Sequence, residues 1–329
     1  MRALLMLVLL VAALWSAWWF YGARQTEAAF EGWLADRAAL GEVAEAGIAV
    51  RGYPSRFDTT LSDLRIGFGG WLWEADTFQT LMLAYAPHRA VAVWPGPQRL
   101  IDPFGNTTVL EGEEARASVR VGIDPALPLT SVTLVARDVA LDGTGWQGRL
   151  AEFRFAARAG EGIGAALGED ARYQVGILLD DLALPEGGAV PEALPPVLDL
   201  LRIDAVAEFD APLALAAEVP ARMEELRIGE ITLDWGGIGL SADEGRLRVD
   251  GGGFLSGSLP LRLRGYPLLV EALRDLGILP ERQVVLALAG LSLIAGDDGD
   301  ITVPLSFEGG ETRLGPIPLG PAPRLVAPD

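Results

Sequence analysis

Cysteine is absent from this 329-residue chain, so it has no disulfide framework, no thiolate nucleophile and no Cys-ligated metal. Lysine is absent too, which removes the phosphate-binding loop that depends on it. Histidine occurs once, as His88, and a histidine-based triad could be built only there; the sequence around it, Ala86-Pro87-His88-Arg89, reads as an exposed loop. The nucleophile elbow Gly-x-Ser-x-Gly is missing as well, since Gly253-Phe254-Leu255-Ser256-Gly257 carries its serine one place late. The net charge is −19, and the basic residues, all arginine, are scattered singly among the acids rather than gathered into a stripe. A nucleic-acid partner needs a concentrated cationic surface, so none is expected. These gaps lead to an expectation of no catalytic residue, no metal and no cofactor, and of a protein that is not an enzyme.

Apolar residues, in contrast, are plentiful at 50%. Ala3 to Tyr21 carry no charge, and at about 1.5 Å per helical residue they match the ~30 Å hydrocarbon core of a bilayer. A cleavable signal would end in a small-x-small site. This run ends in Trp18-Trp19-Phe20-Tyr21, an aromatic belt, and so reads as an uncleaved anchor over 1–23. The two-residue leader and the ease of exporting a long domain place the remainder outside the cytoplasm: a single-pass inner-membrane protein with a periplasmic C-terminal domain. Over 24–46, Phe30, Trp33, Leu34 and Ala38 recur near helical spacing among acidic residues. Anionic lipid would repel that acidic face, so this amphipathic helix is expected to pack on the domain.

Beyond Gly47 the period changes to two. Residues 115–123, 173–179, 231–235, 259–263 and 301–307 alternate apolar with polar or small, and turn signals separate them, Gly236-Gly237, Asp250-Gly251, Asp298-Gly299 and Gly309-Gly310 among them. The fold class is mainly β: a long curved antiparallel sheet built as a meander of hairpins over 47–329, with two similar halves meeting near 185–205. Only two further helices are expected, around 191–201 and 267–276. The cluster Gly296-Asp297-Asp298-Gly299-Asp300 lacks the spaced ligands of a calcium loop and reads as a hairpin. Pro260 and Pro304, inside strands on the polar parity, are read as marks of edges or bulges.

Two local regularities stand out. Three strands share the form apolar-x-Asp-apolar-x-apolar, and at each Asp (Asp63, Asp138, Asp181) the alternation slips by one place. A β-bulge produces such a slip, with the Asp accepting the freed N–H; a shared metal site is the rarer alternative. The tetrapeptide Arg-Gly-Tyr-Pro occurs twice, with Gly52 and Pro54 leading into a strand from Arg56 to Phe68, and Gly265 and Pro267 into a helix. Both copies read as strand-exit devices.

The anchor, the amphipathic helix, Gly52-Tyr53-Pro54-Ser55-Arg56-Phe57, the Asp-pivot strands and the ending Leu314-Gly315-Pro316-Ile317-Pro318-Leu319-Gly320-Pro321-Ala322-Pro323 together resemble the bacterial family called domain of unknown function 2125. More distantly the chain is similar in style to the AsmA-like envelope proteins, whose anchored sheets are associated with lipid handling. Neither resemblance implies catalytic residues. A sheet with few covering helices leaves apolar face open, so the expected function is binding of lipid or another amphiphile in a groove lined by Trp71, Trp73, Tyr85, Trp94 and Trp235. The alternative is an assembly module that takes an envelope protein partner on its sheet edges.

Overall fold

The computed structural model describes residues 1–160, 171–184, 194–217, 219–296 and 299–325. Their strands belong to one large antiparallel sheet, and the chain divides into two compact units. The first comprises residues 1–120 and 139–145. It contains α1 (Arg2–Ala39), β1 (Ala44–Arg51), β2 (Arg56–Phe68), β3 (Trp71–Leu83), β4 (Ala86–Val93), β5 (Gln98–Ile101), β6 (Thr107–Glu111), nearly all of β7 (Glu114–Val121) and the end of β8 (Leu129–Gly143). The second unit holds the rest of β8, then β9 (Trp146–Ala159), β10 (Arg172–Ala183), β11 (Val197–Phe209), β12 (Met223–Trp235), β13 (Ile238–Ala242), β14 (Gly245–Val249), β15 (Leu255–Arg264), α2 (Tyr266–Asp275), α3 (Glu281–Ser292), β16 (Ile301–Glu308), β17 (Glu311–Leu314) and β18 (Ile317–Pro321).

Anchor and amphipathic segment form one uninterrupted helix, α1, long and apolar enough to cross a membrane. Its second half lies along β1, β2 and β3, which pair in sequence as a meander. Trp19 and Ala23 pack on Phe57, Ala84, Val50 and Met82, while Phe30 and Leu34 pack on Leu61, Leu64, Ile66 and Ala75. Gly22 lets the helix come close, since a Cβ there would lie 2.6 Å from the Phe57 ring. In the second unit the main core joins α2 and α3 to β12–β18, around Leu259, Leu263, Val270, Leu291, Ile301 and Val303.

Asp63, Asp138 and Asp181 all adopt left-handed backbone, with φ of 51°, 50° and 47°. Asp63 is an extra residue relative to β1, where Glu45–Gly47 spans Arg65–Ser62, yet the β2–β3 register runs unbroken from Arg56↔Leu83 to Phe68↔Trp71. β3 slips with β2: Leu61, Leu64 and Ile66 share a face with Phe78, Ala75 and Trp73. Register is likewise unbroken on both sides of Asp181, against β9 and β11. Asp63 and Asp181 therefore kink neighbouring strands together, and the Asp138 carboxylate takes Arg149 at 3.1 Å. Asp is among the few residues with a Cβ that visit this region routinely.

Three expectations are corrected. Residues 197–201 begin β11 rather than forming a helix, and residues 191–193 lie outside those described. α3 was not anticipated. Pro260 and Pro304 are not at a sheet edge; they pair with each other between β15 and β16. Their missing donors point away from that pair, Pro260 toward the break between β13 and β14 and Pro304 toward the end of β17, so no ladder bond is lost. Of the expected Gly296–Asp300 hairpin, residues 297 and 298 lie outside the described set.

Candidate functional site

Between its two contact points with the sheet, α1 presents small residues: Thr26, whose hydroxyl bonds back to the Gly22 carbonyl at 3.0 Å, and Ala29. Beneath them the sheet is not filled. A cavity of about 390 Å³ opens there, walled by Ala29, Phe30 and Trp33 of α1, Leu61, Leu64 and Ile66 of β2, and Trp73, Phe78 and Thr80 of β3. That volume falls within the about 300–1,000 Å³ common to small-molecule sites. The kink at Asp63 builds the floor, because without the slip Leu64 and Ile66 would turn to the other face of the sheet.

The side chains that wall the cavity are apolar apart from Thr80, whose hydroxyl lacks a partner. Thr80 stands directly opposite Thr59 across β2 and β3, and both hydroxyl oxygens are buried without a hydrogen bond. Thr59 is fully buried. Trp94 follows β4 at the position opposite Phe78, with ring centroids 5.4 Å apart, and its indole N–H is also buried and unpartnered. Trp73, by contrast, donates to Gln98 at 3.2 Å. Beyond the rim, Arg37 lies over the Trp33 ring at 5.1 Å and pairs with Glu42 at 2.6 Å.

On the other side of β3, Glu74 accepts from Arg65 and Arg99, each at 3.0 Å. Burial alone would raise its pKa, but the hydrogen bonds and charges of the two guanidinium groups outweigh burial and hold it below the usual carboxylate value.

Of the five aromatic residues singled out from sequence, Trp73 lines the cavity and Trp94 abuts it through Phe78. Trp71, at the start of β3, and Tyr85, in the β3–β4 turn, are exposed outside it. Trp235 belongs to the second unit, where it packs near Leu194, Ile238 and Ala272 and donates to the Pro195 carbonyl at 2.9 Å. The α1 wall was visible only as an amphipathic stripe, and Thr59 and Thr80 gave no signal. His88 is half-buried in β4, not in a loop. Gly52 and Gly265 both have positive φ, and each Arg-Gly-Tyr-Pro copy begins with the last residue of a strand, Arg51 of β1 or Arg264 of β15; Pro54 sits in the β1–β2 turn, and Pro267 in the first turn of α2. No cluster of three or more acidic or histidine side chains suited to a metal occurs among the described residues.

These features define a mainly-β protein carried on one long apolar N-terminal helix, with a cavity between that helix and its sheet. The chain belongs to the family of uncharacterized proteins conserved in bacteria known as domain of unknown function 2125, whose model matches residues 19–323. No curated protein and no solved structure matches it.

Proposed function

We propose that this protein is a membrane-anchored binder of lipid or another amphiphile, holding the apolar part of one molecule between α1 and the β2–β3 sheet. The observation that carries the reading is the roughly 390 Å³ apolar cavity with the unpaired Thr80 hydroxyl in its wall. A hydrocarbon alone would leave Thr80 unsatisfied, whereas an amphiphile with a hydroxyl, ester or carboxylate oxygen would pair it. Binding rather than catalysis is the role, at the inner membrane with the β-rich domain periplasmic. Reporter fusions at Ala46 and Asp329 test the sidedness, and activity of a cytoplasmic reporter at both would overturn it.

Occupancy is tested on the full chain, purified in lipid nanodiscs, extracted and analysed by mass spectrometry beside Ala29→Trp, which fills the cavity. An amphiphile retained by the wild-type chain and lost from a folded Ala29→Trp variant supports the reading. Equal lipid in both overturns it, because annular lipid does not depend on the cavity.

A second reading, docking of an envelope protein partner, draws on α3 and the residues just after it, where Val285, Leu286, Leu293 and Ile294 are exposed. Photocrosslinking from Leu286 in cells separates the two, since it yields protein adducts only under this reading.

A further inference from the structure

The first Arg-Gly-Tyr-Pro copy is tied to the membrane helix itself. Trp15 donates its indole N–H to the Pro54 carbonyl at 2.8 Å, the Ser16 and Tyr53 hydroxyls lie 2.9 Å apart, and Trp19 donates to the Arg56 carbonyl at 2.7 Å. The Tyr53 ring stacks on Phe20 and meets Trp19 edge-on. From Arg2 to Trp15 the helix rises only about 20 Å, and to Trp19 about 26 Å, whereas crossing the hydrocarbon takes about 30 Å. If α1 spans the bilayer, the residues that hold the turn are still within its outer part. From this geometry we infer that the Gly52–Arg56 turn is a membrane-embedded element that inserts among the lipids beside the exit of α1. The inference rests on the anchor reading of α1.

Irregular backbone survives at that depth only when its polar groups are satisfied by protein. Here they are. The Gly52 carbonyl accepts from the Ser55 and Arg56 amides, the Ser55 carbonyl from the Ala84 amide, and the Pro54 and Arg56 carbonyls from the two indoles, while Pro54 has no N–H to satisfy. The surface presented suits an interface: Tyr53 is 53% exposed, the neighbouring end of β3 and the β3–β4 turn add Leu83 and Tyr85, and Trp18 and Tyr21 are exposed at the same level of α1. Arg51 and Arg56 bracket the turn where headgroup phosphates lie.

The absence of cysteine makes single-cysteine labelling clean. Nitroxide labels at Ser55→Cys, at Tyr85→Cys in the adjoining turn, at Leu5→Cys within the span and at Phe104→Cys on the β5–β6 turn are compared in vesicles of phosphatidylethanolamine and phosphatidylglycerol. Phe104 is 90% exposed, and its turn adjoins the end of β3 remote from Leu83, about 36 Å along the strand. The ratio of collisions with lipid-soluble oxygen to collisions with a water-soluble nickel chelate should be several-fold higher at positions 5, 55 and 85 than at 104. If 55 and 85 match 104 while 5 stays lipidic, the embedded turn is overturned and the anchor stands. If 5 also matches 104, the anchor reading falls and this inference with it.

Discussion

Replacing Thr80 by Val should make the protein more stable when its cavity is empty and less stable when it is occupied. The hydroxyl lies within a half-buried residue, is itself shielded from solvent, and has no partner. An unsatisfied buried hydroxyl costs about 1–3 kcal/mol, and partial burial of the residue argues for the lower end, about 1 kcal/mol. Valine keeps the shape and removes the desolvated group, so delipidated T80V should melt about 1–2 °C above wild type. Most substitutions destabilise by about 1 kcal/mol, so even the sign discriminates. Thr59→Val is the companion: fully buried and unpartnered but not on the cavity wall, it should stabilise in both states. The assay is thermal unfolding of nanodisc samples before and after lipid extraction. A T80V variant that melts below wild type after delipidation would refute the reasoning, because the hydroxyl would then have a partner in the empty protein.

Three further outcomes are expected. Glu74 has a folded pKa below its ordinary value, so its contribution to stability is full above about pH 4.5 and is lost as pH falls through the folded pKa; Glu74→Gln should flatten that acid limb in a melting-temperature profile. Gly52→Ala should cost more than Gly41→Ala in chemical denaturation, since both glycines have positive φ but only at Gly52 does a Cβ meet backbone, 2.8 Å from the Arg56 carbonyl. Asp181→Ala should cost about 1–2 kcal/mol for its left-handed φ, whereas Asp181→Gly should cost little; equal losses for both would point to the carboxylate rather than the backbone.

Where the sequence was legible, one residue's local physics sufficed. The uncharged run, the Gly turns and the strand from Arg56 to Phe68 each follow from composition or period two. The Asp pivots could be found because left-handed backbone selects so few residue types. The same kink explains the misread start of β11: opposite Asp181, the parity changes near Asp199, so Leu198 and Leu201 imitate helical spacing on what is a strand. α3 escaped because Val284, Val285, Leu286 and Leu288 give no single apolar stripe, two of them facing solvent. The cavity was illegible because it is a mismatch between elements distant in sequence. Thr26 and Ala29 are unremarkable until α1 is laid over Leu61 and Phe78.

One consequence of the continuous helix concerns how such a cavity could exchange its contents. Roof and anchor are a single rod, with no break between Arg2 and Ala39 at which one could move alone. Lifting Phe30 and Trp33 off the sheet means pivoting the rod about its aromatic clamp at Trp15 and Trp19, and where α1 spans a bilayer, as proposed, the other arm of that lever lies in it. Tilt in the membrane and access to the cavity are then one coordinate. On the proposed binder reading, bilayer thickness, which influences the tilt a helix adopts, becomes a term in the affinity for whatever the cavity holds.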